Sequence, residues 1–424
     1  MNVLLIGSGA RESAIAWKLS QSGKLNKLYC SPGNSGTSKF GEGIGYKSND
    51  ELLQFALKNN IDITIIGPEE PLTQGITDLF KEKKLSIFGP SKKASRIESS
   101  KVWAKNIFNK YSIPTAKSYV FENIEEASNF LKTRIPKEWV IKVDGLAAGK
   151  GVFLPKNIEE SNKYLKKIFI EKAFGDAGEN IIIEEKLFGT EVSVFAFVKN
   201  NMVSNCIAAC DYKRINDNDE GLNTGGMGAI SPPPFWTSAL EKKIREKIFE
   251  PTAKALVNEG SPFSGILFGG LMISKSGIKV LEFNCRFGDP ETQVLMPKIE
   301  SDILDIFLKI SNPKDKSKVF IQVNKLSSVG VVMASGGYPE KYTTGYEING
   351  LNKNISNKDK SIIFEGGAKY SNNGKIITDG GRVLICVGLG DNLNEAKKNA
   401  YSTVDLIDFK DMRYRKDIGE NRSL

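Results

Sequence analysis

Histidine does not occur anywhere in these 424 residues. Whatever chemistry the chain performs therefore runs without imidazole, which excludes Ser-His-Asp and Cys-His nucleophilic catalysis and histidine-ligated zinc. Catalysis by cations, backbone amides and a carboxylate-bound metal is what remains. Cysteine is sparse as well: Cys30, Cys206, Cys210, Cys285 and Cys386 form no paired metal spacing and are odd in number. They read as reduced, buried small residues rather than as a disulfide frame, and the Cys206/Cys210 spacing lies in an apolar stretch where packing is the ordinary use. No apolar run approaches the roughly 20 residues that a membrane span needs, and the opening MNVLLIGSGARES has a strand-and-glycine pattern rather than a basic leader. The expected setting is the cytoplasm, with no membrane partner.

What is present describes a globular, multidomain chain. Its length accommodates about three domains of roughly 150 residues, and its 40% hydrophobic and 26% charged shares exclude a disordered or fibrous class. The formal charge of +9 is interleaved with acids in runs such as FKEKKL and NPKDKSK. That pattern favours solvated faces over a nucleic-acid groove, while still attracting small anionic substrates.

Residues 2–7, NVLLIG, read as a buried strand that turns at Ser8 to Arg11 into a helical run with Ile15, Trp17 and Leu19. Apolar runs at LNKLYC, IDITIIG and LSIFG alternate with helical segments, so a parallel, doubly wound sheet is expected up to about residue 95. The polar entry SKKASRIESS then leads a helix with Trp103 and Phe108 that stops at Pro114. Strands at WVIKVDG, KGVFLP, NIIIEEKL and EVSVFAFVKNN make the middle third α+β. A last, smaller unit starts near SSVGVVMASGGYP. The expected domains are 1–100, 101–325, with a smaller flexible lobe at about 120–190, and 326–424.

Three glycine-rich or polar constellations are able to carry chemistry. Gly7-Ser8-Gly9-Ala10-Arg11-Glu12 follows a strand and opens a helix, which aims N–H groups at an anion. Glu12 stands where a dinucleotide fingerprint needs its third glycine, so nicotinamide binding is not expected; a phosphate-bearing substrate and a plain βα turn both stay open. Gly145 to Val152 lies between two strands, the first containing Lys142. Its small residues permit backbone amides to approach a triphosphate while Lys142 and Lys150 offset charge, and a plain hairpin is the alternative. In Leu281 to Thr292, alternation puts Glu282, Asn284 and Arg286 on one strand face and Leu281, Phe283 and Cys285 on the other. A carboxylate and an amide oxygen so spaced suit Mg²⁺, and Arg286 is able to neutralise a phosphoryl group; a solvated face closed by a turn is the alternative. The stretches Asp211-Tyr212-Lys213-Arg214 and Asn223 to Ala229 look like binding loops for a substrate carrying phosphate and amine.

In this order, GSGARE, IGPEEPL, SSKVWAK, VIKVDGLAAGKGV, IIEEKLFGTEVSVF, DYKRINDND, NTGGMGA, SPFSGILFGGLM, EFNCRFGDPETQ and GGRVL resemble the phosphoribosylamine–glycine ligase family of ATP-grasp enzymes over nearly the whole chain. The resemblance implies an α/β and α+β multidomain fold: an N-terminal Rossmann-like parallel sheet, a central ATP-grasp module of two lobes and a small C-terminal domain. It implies ATP-dependent joining of glycine to 5-phosphoribosylamine through a glycyl phosphate, with Mg²⁺ or Mn²⁺, by a monomer or weak dimer without nucleic-acid partners. By resemblance Lys101, Lys142 and the loop with Gly149, Lys150 and Gly151 meet ATP phosphates; Glu184, Glu185 and Leu187 meet adenine; Glu191 meets the ribose; and Glu282 and Asn284 hold the metal. Lys142, Arg286 and Asp211 take catalytic roles. Gly9, Lys213, Arg214, Gly225, Gly226, Gly228, Asp289, Pro290, Glu291 and Thr292 take substrate roles. Histidines common in the family are replaced at Ser13, Tyr212, Ser261 and Glu365, and two of these lie in presumed substrate loops. Another ATP-grasp purine enzyme, a carboxylase or a formate-using transferase, shares the nucleotide site but not the DYKR and NTGGMGA blocks. A nucleotide-binding protein without turnover is the alternative of a different class.

Overall fold

A computed structural model describes residues 1–45, 48–147, 151–351 and 360–420. The chain opens with a strand, Asn2–Gly7, whose Val3, Leu4, Leu5 and Ile6 are all buried. A continuous apolar run of this kind belongs to a sheet covered on both faces, and the strand is indeed central. The sheet is wholly parallel, in the spatial order Glu42–Gly43, Lys27–Pro32, Asn2–Gly7, Ile63–Ile66, Ile87–Phe88. Glycine at the ends of two adjacent strands is a packing requirement. A Cβ on Gly67 would lie 1.9 Å from Glu12 Oε1, and one on Gly7 would lie 2.5 Å from Glu12 Cδ. The Glu12 carboxylate fills that gap, where it accepts the Gly9 N–H at 2.7 Å and pairs with Arg11 at 2.6 Å.

A four-stranded antiparallel sheet follows, in the order Ser118–Phe121, Ile181–Glu185, Trp139–Val143, Val152–Phe153. The helices Ile124–Lys132 and Ile158–Phe169 pack against each other and bury Leu131 and Leu165 with Ile141, Val143, Ile181 and Ile183 in a core of their own. Each helix starts on an asparagine, Asn123 or Asn157, whose side chain accepts an N–H of the first turn; such caps contribute about 1 kcal/mol.

The third sheet is the largest. Its antiparallel path runs Gly277–Asn284, Ser264–Ser274, Thr190–Lys199, Ile207–Asp211, Gly228–Ser231, Ser327–Ala334, Arg382–Gly390, Ser361–Glu365. The strands of the last third therefore continue the sheet of the middle third, because Gly228–Ser231 pairs with Ser327–Ala334. Leu393–Val404 covers that end. Among the described residues no helix is long and apolar enough to cross a membrane, and all five cysteines are buried.

Candidate active site

Where the three sheets meet lies a cavity of about 410 Å³. One side starts from helix Lys101–Lys110, capped by Ser100, whose hydroxyl oxygen accepts the Trp103 N–H at 3.1 Å. The cap places Lys101 in the first turn, and its ammonium donates to the Gly145 carbonyl at 3.0 Å. One turn on, Lys105 meets Glu184 at 2.7 Å, and Lys142 from the adjacent strand meets the other oxygen of Glu184 at 2.5 Å. All three are buried. Burial opposes the Lys142 charge, yet Glu184 and Glu282 together outweigh it and raise its pKa. For Lys105 burial wins, with Lys142 adding to it, and the pKa falls.

Glu282 and Asn284 are the last residues of strand Gly277–Asn284, and a bulge near Leu281 shifts its pairing with Ser264–Ser274. Both line the cavity, as does Arg286 just beyond the strand. Glu282 is open to the solvent of the cavity, and although the crowding walls desolvate it, Lys142, Lys101, Lys213 and Arg286 outweigh that effect and hold the group ionised. Arg286 is itself fixed by carboxylates, with Nε at 3.0 Å from Glu69 and Nη2 at 3.3 Å from Glu98, and it lies 3.4 Å from Asn284 Oδ1. Glu98 also accepts the Cys285 N–H at 2.8 Å.

The far wall carries Asp211, Lys213 and Glu291. Lys213 pairs with Glu191 and lies 3.8 Å from Asp211. Glu291, at the start of helix Glu291–Leu295, accepts the Ser193 hydroxyl at 2.9 Å. Burial, reinforced by Asp211, pushes its carboxyl up to about 7. Two acids that repel each other in a closed space make a favourable seat for a cation. Arg382 reaches in from the last third of the chain, donating to the Gly225 carbonyl at 2.7 Å and the Asp289 carbonyl at 2.8 Å. Burial opposes ionisation of Asp289, but Arg382 and Arg11 prevail and lower its pKa. Beside it a smaller hollow of about 170 Å³ is lined by Gly9, Asp289, Gln293, Gly366, Gly367 and Arg382.

Of the residues singled out from sequence, the cavity gathers Lys101, Lys142, Gly151, Glu184, Glu191, Asp211, Lys213, Gly225, Glu282, Asn284, Arg286, Asp289 and Glu291. Gly9 lines the smaller hollow, while Glu185 and Leu187 line an adjoining cleft with Trp139 and Met272. Gly149 and Lys150 lie outside the described residues. Several expected site residues have partners within the protein. The Glu184 side chain is paired with two lysines. Gly228 is a packing residue, since a Cβ there would stand 2.6 Å from the Gly330 carbonyl oxygen. Thr292 is fully buried and bonds the Gly288 carbonyl. Arg214 turns to the Gly221 carbonyl. Gly226, with φ +112°, packs on Pro290, whose Cδ would lie 2.4 Å from an added Cβ. Neither Gly226 nor Pro290 is on the cavity wall.

Arg11, Glu69, Glu98, Lys105 and Arg382 line the cavity without having been singled out. The blocks GSGARE, IGPEEPL, SSKVWAK and GGRVL contain four of them, so the signal lay in those blocks but did not say which side chain faced inward. The four positions where histidine is replaced are all off the cavity wall. Ser13 bonds Asn34 and the Glu365 carbonyl, Glu365 pairs with Lys39, Ser261 is buried, and Tyr212 turns away to Gly419 and Glu420.

No cluster of three His, Cys, Asp or Glu side chains able to hold a metal occurs among the described residues. The donor set at the strand end is instead a carboxylate and an amide oxygen beside three lysines and an arginine, which fits Mg²⁺ or Mn²⁺ completing its shell with other oxygens and water.

Comparison with known proteins agrees with this geometry. Family models match as the N domain of phosphoribosylglycinamide synthetase over residues 1–98, its ATP-grasp domain over 99–292 and its C domain over 328–421. A phosphoribosylamine–glycine ligase from Caldanaerobacter subterraneus subsp. tengcongensis is 44% identical over 423 residues, 99% of each chain. The crystal structure of phosphoribosylamine–glycine ligase from Thermotoga maritima superposes with a TM-score of 0.84 at 32% identity, covering 98% of this chain and 100% of that one. The biotin carboxylase domain of Hydrogenobacter thermophilus 2-oxoglutarate carboxylase shares the fold, with a TM-score of 0.73 at 14% identity, over 97% of this chain and 91% of that one. With all three domain models matched in order, the chain belongs to the phosphoribosylglycinamide synthetase family.

Proposed function

We propose that the cavity joins glycine to 5-phosphoribosylamine, converting ATP to ADP and phosphate through a glycyl phosphate. The observation that carries this reading is the meeting, in one cavity, of phosphate-binding lysines, an acid–amide pair and a facing pair of carboxylates. Lys101 and Lys142 hold the triphosphate, and Arg286 offsets charge on the transferring phosphoryl group. Mg²⁺ or Mn²⁺, held by Glu282 and Asn284, supplies further charge neutralisation when bound. The ammonium of glycine sits between Asp211 and Glu291, which turns its carboxylate toward the γ-phosphoryl group. A carboxylate oxygen attacks phosphorus, and ADP leaves. The amine of phosphoribosylamine then attacks the acyl carbon, and phosphate departs with the C–O electron pair and takes up the proton that the amine sheds.

The sugar-phosphate end is assigned to the hollow beside Gly9 and Arg382. There the start of helix Ala10–Leu19 and a guanidinium offer donors, and the buried Gln293 Oε1 has no partner of its own. None of these steps calls for imidazole, and the replaced histidine positions lie off the wall, which favours turnover over mere nucleotide binding. The burial of all five cysteines as small apolar residues supports a cytoplasmic setting. Release of phosphate from ATP is to be measured with glycine and phosphoribosylamine each omitted in turn. Release that requires both is expected; release indifferent to glycine refutes the reading.

A further inference from the structure

The substrate loop does not hold itself in place. Asp211 ends strand Ile207–Asp211, and Asp211 and Lys213 both line the cavity. Tyr212 between them points the other way, as extended backbone requires, and is only 2% exposed. Its hydroxyl donates to the Glu420 carbonyl at 2.9 Å and accepts the Gly419 N–H at 3.0 Å. The Arg415 guanidinium lies 5.1 Å over its ring.

Arg415 is 1% exposed and fully engaged. It forks onto Asp417 with bonds of 2.7 and 2.5 Å, reaches Asp219 at 2.8 Å and donates to the Arg214 carbonyl at 3.1 Å. The Lys416 N–H donates to Asp217 at 2.8 Å, and the Asn218 N–H donates to Asp417 at 2.9 Å. Residues 415–420 thus grip the hairpin Arg214–Asn216/Glu220–Asn223 and the tyrosine at its root. The same segment is tied to helix Leu393–Val404, where the Tyr401 hydroxyl donates to the Arg415 carbonyl at 2.7 Å and accepts the Ile418 N–H at 3.1 Å.

We infer that residues 415–420 form a strap that positions Asp211 and Lys213 for the amino acid, with Tyr212 and Arg415 as positioning residues that never touch substrate. Two observations set this apart from ordinary packing. The contacts hold both the hairpin and, at its root, a residue whose neighbours on either side line the cavity. They are also directional polar contacts to backbone and carboxylate, which fix the roll of the strand end as apolar packing does not. A phenol at position 212 reaches two backbone groups of the strap at once, so the tyrosine that stands where the family commonly has histidine acts here as a tether.

The inference rests on the ligase reading for its kinetic consequence but not for its structural one, and the test reads both. Tyr212→Phe removes the hydroxyl while keeping the ring. It is expected to raise the KM for glycine about fivefold, the loss of its two hydrogen bonds being only partly expressed through the positioned groups, with the KM for ATP unchanged. Arg415→Ala is expected to raise it further. Arg415→Lys restores it only partly, because an ammonium cannot make the fork and the two further bonds together. In parallel, hydrogen exchange of the backbone amides of 212–224 is expected to quicken in all three variants, while strand Thr190–Lys199 keeps its protection. Unchanged exchange in 212–224, or equal rises in the KM for glycine and for ATP, overturns the strap. A wild-type protein that fails to ligate, with exchange changed as expected, sinks the ligase reading and leaves the strap standing.

Discussion

Glu282 shows how a single side chain is kept in the charged state that its task requires. Four cations around it outweigh its desolvation by the cavity walls and keep it ionised, which suits a metal ligand. Glu282→Ala is expected to abolish ligation while the melting temperature moves little, because the residue adds charge rather than core volume; turnover at the wild-type rate would remove the metal assignment. Glu291 is the opposite case, an acid raised to about 7 by burial and by Asp211. An ammonium binds best when Glu291 is anionic, so kcat/KM for glycine should climb as pH rises through about 7 and level off above it. Glu291→Gln should lower kcat/KM and erase that limb, a result that a pH series on both proteins decides. The stability sign is the reverse. A carboxyl whose folded pKa is raised contributes stability that is full below its unfolded value and lost as pH rises to about 7. In a chain without histidine, a limb in this range has a carboxylate as its natural source.

At the scale of elements, the helix Lys101–Lys110 and the turn after strand Trp139–Val143 are built as one piece. Ser100 caps the helix and also lies 3.3 Å from Asp144, which accepts the Val102 N–H at 3.1 Å. Lys101 closes the connection at the Gly145 carbonyl. Ser100→Ala should lower stability by about 1 kcal/mol and raise the KM for ATP while the KM for glycine holds, to be read from urea midpoints and initial rates. A loss of stability with both KM values intact would show that the cap serves the helix alone. The legibility of such elements from sequence followed their periodicity. Strand Asn2–Gly7 was plain from an unbroken apolar run, whereas strand Gly277–Asn284 alternates but breaks register at a bulge. Glu282 and Asn284 therefore share the cavity for reasons that include the bulge as well as the pleat.

The whole molecule brings the site together by carrying one sheet through two regions. Because Gly228–Ser231 pairs with Ser327–Ala334 and that strand with Arg382–Gly390, Arg382 arrives beside Asp289 and Gly225, which lie far from it in sequence. Arg382→Ala is expected to raise the KM for phosphoribosylamine at least about tenfold, the usual scale for a charge-assisted bond, with ATP handling unchanged; initial rates over a range of the amine check it, and an unaltered KM for the amine discards the sugar-phosphate assignment. The order of motifs determined the fold family, its ATP chemistry and most of the polar residues on the cavity wall through the family that those motifs resemble, while local periodicity and residue type, which are written in one dimension, by themselves determined the opening parallel sheet and the acid–amide pair Glu282 and Asn284. Which side chain faces inward was decided only in the folded chain. Glu184 is committed to Lys105 and Lys142, Tyr212 turns to the strap, and Glu69, Glu98 and Arg382 enter from distant segments. Those outcomes depend on which charges burial forces to pair, and partners distant in sequence meet only once the sheets have packed.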